Sequence, residues 1–201
     1  MKQERALRTR QALIESAARV FGRRGYAEAT LNMISAGAGV TPGALHFHFE
    51  NKAAVAAAVE SAAAGCLRTV AHEVYVRRTS ALQALADSSL ALAHALLSDV
   101  VARAGFQLGH EALYPTVHDL REEWHAYVRR LLREADAEET LLPGLCRRHA
   151  AAMVVAATIG FEILGRDDPQ WLSRRTLIGF WQVVLPCLAD PKALRDLELQ
   201  A

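Results

Sequence analysis

Apolar positions in this chain recur at spacings of three and four and almost never alternate, so the pattern predicts helices throughout. Leu13, Ile14, Ala17, Ala18 and Phe21 form one face of a first helix over residues 4–24, which Gly22 and Gly25 end, with Tyr26 packed under the turn. Leu31, Ile34 and Ala38 mark a short second helix, and Leu45, Phe47 and Phe49 anchor a short third. A long helix over 52–77, capped by Asn51, shows Val55, Val59, Ala62, Cys66 and Val70 on one side. Ser80 caps the next, to Ser98, with Leu82, Leu85, Ala86, Ser89, Ala93 and Leu96 inward. A shorter helix over 99–111 ends near Gly109. Pro115 opens another, to Ala137, with Val117, Leu120, Trp124, Tyr127, Val128 and Leu131 as its buried stripe. After the break TLLPG (140–144), a helix over 146–165 follows, and the cap-then-proline pairs Asp168-Pro169 and Asp190-Pro191 start a helix to Leu188 and a last short one. The expected fold class is all-α.

Residues 30–52 read as two short helices joined by a tight turn. Gly39 ends the first in a left-handed conformation, Val40 fills the corner, and Thr41 with Pro42 starts the second. Gly43 and Ala44 leave the leading surface of that helix nearly bare, able to approach a phosphate backbone or groove floor. Charge supports this reading. The chain is 52% hydrophobic and carries a formal net charge of only +1 over 201 residues. Residues 1–52 nevertheless hold eight Lys or Arg against four acids, a local +4 that leaves −3 on the rest. Arg5 and Arg8, at the start of the first helix, suit phosphate contact, which sets affinity rather than sequence choice.

Thr30, Ile34, Ala38-Gly39-Val40-Thr41, Gly43, Leu45, His48-Phe49 and Lys52 resemble the DNA-binding signature of the tetracycline-repressor (TetR) family. The resemblance implies a helix-turn-helix DNA-binding domain over residues 1–52 and a helical-bundle ligand-binding and dimerisation domain over 53–201. It places Arg5, Arg8, Thr30, Thr41, Pro42, Gly43, Ala44, His46, His48 and Lys52 at the DNA. Two positions depart from the family. His46 stands where Tyr is usual, and Pro42 where a polar or basic residue is common. Base reading then shifts toward Thr41, Ala44 and His46, with thymine-methyl contact open to Ala44.

The helices over 146–188 are apolar on more than one face, which calls for a partner surface. A symmetric homodimer through Met153, Phe161, Ile178, Trp181 and Leu185 satisfies that need. It also presents two DNA-reading heads to half-sites about 34 to 36 Å apart, or a multiple of that spacing.

VVARAGFQL (100–108), EEWHAYVRRLLREADAEETLLPGL (122–145) and AATIGFE (156–162) are similar to the γ-butyrolactone receptor branch of the family. That likeness puts Trp124 and Thr158 in a ligand pocket, with Leu85, Ser89, Phe106, Val117, Leu120, Val155 and Phe161 nearby. A lactone needs a flat apolar wall and one or two hydrogen bonds, which an indole and a hydroxyl supply. On the residues alone, a plain core is the better reading of Trp124 and Thr158, with Thr158 bonding its own backbone, because aromatic stripes at helical spacing are usually core.

The expected function is a cytoplasmic, homodimeric repressor that binds operator double-stranded DNA and is released by a γ-butyrolactone-like effector. Alternatives are the same class of regulator answering a furan, butenolide, antibiotic or fatty-acid derivative, an α-helical enzyme, or a pocket-less dimerisation module. His118, Glu122 and His125 share a helical face, and Cys146 with His149 forms a CxxH pair, but neither is a closed ligand set, so no metal and no cofactor is expected. The three cysteines, Cys66, Cys146 and Cys187, read as reduced thiols, and no signal peptide or run of about 18 apolar residues points to a membrane.

Overall fold

The computed structural model describes residues 2–109 and 116–199. Ten α-helices and one 3₁₀ turn account for the order among them: α1 (Lys2–Glu28), α2 (Leu31–Gly37), α3 (Pro42–His48), α4 (Lys52–Arg77), α5 (Ala81–Ser98), α6 (Val100–Leu108), α7 (Leu120–Ala137), α8 (Arg147–Leu164), the 3₁₀ turn (Pro169–Leu172), α9 (Arg174–Leu188) and α10 (Pro191–Asp196). The helices divide into two compact units, residues 1–67 with 99–120 and residues 68–98 with 121–201. The expected boundary at residue 52 does not coincide with this division. α4 is one helix whose first part belongs to the first unit and whose end belongs to the second, and the first unit also takes in α6.

In the first unit, α6 lies along α1, α2 packs on α1, and α3 packs on α2. Leu13, Ile14, Ala17, Ala18 and Phe21 are buried with Ile34, Leu45, Phe49, Val55 and Val59. Each large side chain removed from water in this way contributes about 2 kcal/mol. The buried Ser16 hydroxyl donates to the Ile34 carbonyl at 2.8 Å and ties α2 to α1. α4 and α6 cross closely at Gly105, where a Cβ would stand 2.4 Å from that of Ala63. Glu60 of α4 is fully buried and accepts the Val117 N–H at 2.9 Å.

In the second unit, α5 packs on α9 and α8, with Leu82, Leu85, Leu92, Val128, Leu131, Val154, Leu177, Trp181 and Leu185 in its core. The TLLPG break is pinned to the end of α9. The Leu142 N–H donates to the Leu188 carbonyl at 2.8 Å and the Asp190 N–H to the Thr140 carbonyl at 2.9 Å.

Several expectations change. The first helix breaks at Gly25 (φ 71°, ψ 170°), where it was expected to end, and one further turn carries α1 on to Glu28. α7 begins at Leu120, so Val117 precedes it and is 61% exposed instead of joining the buried stripe. Pro115 lies outside the described residues. Asp168-Pro169 starts the 3₁₀ turn, and α9 has its own cap, Ser173, whose Oγ accepts the Thr176 N–H. Although no membrane-crossing run was expected, α4 reaches that range by length and composition, with a mean hydropathy of 1.3. Alanine produces this value, and α4 also carries Glu60, Arg68 and Glu73, which are costly in a bilayer.

Candidate functional site

The first unit presents α2 and α3 as a helix-turn-helix. Thr30 Oγ1 accepts the Met33 N–H at 3.2 Å and starts α2. Gly39 takes φ 68°, a value that disfavours any side chain, and turns the chain into α3. Thr41 Oγ1 accepts the Ala44 N–H at 3.2 Å, and Pro42 fills the first position of α3, where no N–H partner is needed. Both threonine oxygens are used as caps, which leaves each hydroxyl proton as the group to offer a phosphate. Pro42, Gly43 and His46 are exposed, and Ala44 and His48 half-buried, around the buried anchor Leu45.

Phe47 is not an anchor. It is 81% exposed and meets His48 edge-on, with ring centroids 5.2 Å apart. The reason is helical: residues 45 and 49 lie four apart on one face, and residue 47 lies halfway round. Periodicity alone could have placed it with the outward-facing groups.

Lys52 is also placed differently. Its ammonium donates to the carbonyls of Tyr26 at 2.8 Å, Ala27 at 3.1 Å and Ala29 at 3.0 Å, and stands over the Tyr26 ring. All three of its donors are spent inside the chain, on carbonyls at the end of α1. Arg5 and Arg8 are exposed at the other end of α1, Arg8 paired with Glu4 in an ion pair open to solvent. Such a pair holds little free energy and exchanges readily for a phosphate. Arg10 lies over the Phe49 ring at 5.2 Å.

The expected ligand-pocket residues fall in both units. Phe106, Val117 and Leu120 belong to the first, where Phe106 and Leu120 are buried. In the second, Leu85, Ser89, Trp124 and Thr158 are buried, and Val155 and Phe161 half-buried. Trp124 stacks on Tyr127 at 5.8 Å, and its buried indole N–H has no acceptor among the described residues. Ser89 donates to the Leu85 carbonyl and Thr158 to the Val154 carbonyl at 2.7 Å, so each hydroxyl proton is spent on its own helix. What Thr158 retains for a ligand is acceptor capacity. Phe161 meets Phe180 edge-on at 5.3 Å and lies beside Trp171, in an aromatic cluster of α8 and α9. A separate cleft of about 800 Å³, lined by Arg77, Gln83, Asp87, His94, Arg174 and Glu198, includes none of the expected pocket residues. There, burial pushes the Asp87 carboxyl up, opposed by the Gln83 hydrogen bond and the Arg174 charge.

Three residues assigned to a dimer face cannot serve there. Trp181 is fully buried, Leu185 is 2% exposed and Ile178 9%, so their own chain already covers them. The apolar groups left open on α8, the 3₁₀ turn and α9 are Met153, Ile163, Leu164, Trp171 and Val183. Among the described residues, no three His, Cys, Asp or Glu side chains gather as metal ligands. His118 lies ahead of α7, off the helix that carries Glu122 and His125.

Residues 13–59 match a family model described as bacterial regulatory proteins, tetR family. The A-factor receptor protein of Streptomyces griseus is 29% identical over 98% of this chain and 70% of its own length. The crystal structure of a γ-butyrolactone receptor (ArpA-like protein) is similar with a TM-score of 0.83 and 28% identity, over 94% of this chain and 92% of that one. That of TylP, a TetR regulator from Streptomyces fradiae, is 30% identical with a TM-score of 0.73, over all of this chain and 88% of that one.

Proposed function

The chain belongs to the TetR family of bacterial regulatory proteins, as a ligand-responsive DNA-binding repressor and not an enzyme, and on that premise we propose that its effector is a γ-butyrolactone-type signal bound beside Trp124. The observation that carries this reading is the indole N–H of Trp124. It is buried with no acceptor among the described residues, on a side chain only 8% exposed. An orphaned buried donor costs about 1–3 kcal/mol, which a lactone carbonyl placed there recovers. The Trp124 ring, held from behind by the stacked Tyr127, offers a flat apolar wall, and Thr158 an acceptor for a ligand hydroxyl. The likeness to γ-butyrolactone receptors along most of both chains supports the same effector class.

In this reading the repressor is a homodimer closed by the open apolar side chains of α8 and α9, and it acts on operator DNA in the cytoplasm. α3 enters the major groove, with Thr41, Ala44 and His46 toward the bases and Arg5, Arg8, Thr30 and the exposed start of α3 toward phosphates. Ligand lowers operator affinity only by the difference in its affinity for the two states of the protein. A hundredfold loss corresponds to about 2.7 kcal/mol, within reach of one buried hydrogen bond plus repacking around the indole.

The test is a gel shift on DNA from upstream of the protein's own gene, with and without a synthetic acylated γ-butyrolactone. Reversal of the shift by lactone is the expected result, and Trp124→Ala should keep the shift and lose the reversal. Reversal by an organic culture extract but not by lactone would replace the ligand and leave the regulator standing.

A further inference from the structure

We propose that Tyr127 is the positioning residue that couples the Trp124 indole to α4, and so sets how much of the effector's binding reaches the DNA-reading unit. This rests on the effector site proposed at Trp124. On one side Tyr127 stacks against that indole, 5.8 Å between ring centroids and 28° between planes. On the other, its hydroxyl donates to the Ala71 carbonyl of α4 at 3.3 Å and meets Ser88 Oγ of α5 at 2.9 Å. A phenol has one proton, so if Tyr127 gives it to Ala71, Ser88 must be the donor to Tyr127.

The grip on α4 extends below this point. Arg130 lies over the Tyr127 ring at 5.1 Å and over the Tyr75 ring at 4.7 Å. Arg78 covers Tyr75 at 3.6 Å, and Glu134 accepts from the Tyr75 hydroxyl at 3.3 Å and pairs with Arg78 at 3.1 Å. Residues 71 and 75 of α4, with Arg78 just past its end, and 127, 130 and 134 of α7 are spaced by three and four, so each helix presents one face to the other. Trp124 is one turn further along the same face of α7. A carbonyl captured by its N–H repositions the indole, and Tyr127 either follows, drawing on α4 at Ala71, or gives up its stack. α4 runs without interruption from there to Lys52, which is bonded to the end of α1.

The experiment uses the full-length protein, a DNA fragment selected by the wild type from a random pool, and a synthetic acylated γ-butyrolactone. Tyr127→Phe keeps the ring and its stack but loses both hydroxyl bonds. Lactone affinity by calorimetry should stay within about threefold of wild type, while the lactone needed for half-release from DNA should rise by about tenfold or more. Ser88→Ala, which removes one of the two bonds, should shift release in the same direction by less. Release equal to wild type would overturn the coupling, and so would a parallel loss of lactone affinity, which would make Tyr127 part of the pocket instead. If the wild type binds no lactone, the effector reading fails, and coupling is then judged by hydrogen exchange at the Tyr75 amide, the helical donor to Ala71. Trp124→Ala and Tyr127→Phe should each speed that exchange, and the double variant should exchange no faster than Tyr127→Phe alone. Additive effects would overturn the proposal.

Discussion

The Lys52 ammonium stands 2.8 Å from the carbonyl oxygen of Tyr26 and 4.5 Å above the centre of that residue's ring. With the Ala27 and Ala29 carbonyls also bound, a cation one would offer to DNA instead neutralises the negative end of α1. It joins the first residue of α4 to the last turn of α1, around the helix-turn-helix between them.

Lys52→Met should therefore lower stability by about 1–3 kcal/mol in denaturant unfolding, because charge-assisted bonds are lost and carbonyls left open. DNA affinity should fall while the slope of log affinity against log salt stays the same, since no phosphate contact has gone. A slope reduced by about one would make Lys52 a phosphate ligand after all.

Phe47 and Arg8 should separate in the opposite way. Phe47→Ala removes a side chain that is 81% exposed, so the melting temperature should hold. Operator affinity should fall by about 1–2 kcal/mol, with non-specific DNA little affected, if the ring contacts a base or thymine methyl. Arg8→Ala should weaken all sequences alike and flatten the salt slope. Competition binding of operator against random DNA distinguishes the two patterns.

The dimer face is tested by two charges. Val183→Asp adds one at a position 71% exposed in the single chain and should give folded monomers by ultracentrifugation. Trp181→Asp buries an unpaired charge in the core of the chain itself and should unfold it, by several kcal/mol. A dimeric Val183→Asp protein would move the interface off this part of α9.

Asp87 gives a pH dependence. Burial raises its carboxyl pKa in the folded chain, so the folded state holds the proton more tightly than the unfolded chain. Stability then decreases as pH rises from the ordinary carboxylate range through the raised value. Asp87→Asn keeps an oxygen for the Gln83 amide and removes the titration. It should melt above wild type at neutral pH, with the gap closing as the solution is acidified below the carboxylate range. A gap that persists in acid would place the effect outside Asp87's titration.

Much of the molecule was legible because local chemistry decides it. Helix spacing, the caps Thr41, Asn51 and Ser80, the left-handed Gly39 and the Asp190-Pro191 start are all set within a few residues, and each stands where it was expected. The start of α7 was misplaced for the converse reason. The Val117 N–H goes to the buried Glu60, 57 residues away, and no local pattern announces that bond.

By itself the sequence determined an all-α chain with a basic, helix-turn-helix amino-terminal region, because these follow from short-range spacing and composition. Only the tertiary structure decided which apolar face stays open and which polar groups are already spent. Trp181 and Val183 are two apolar residues on one helix, but one is fully buried by its own chain and the other 71% exposed. Lys52 reads as a free cation until the end of α1 is folded against it. Trp124 reads as an ordinary core aromatic until its N–H is seen to lack an acceptor among the described residues. Burial and hydrogen-bond satisfaction are properties of neighbours distant in sequence, and only the folded chain brings those neighbours together.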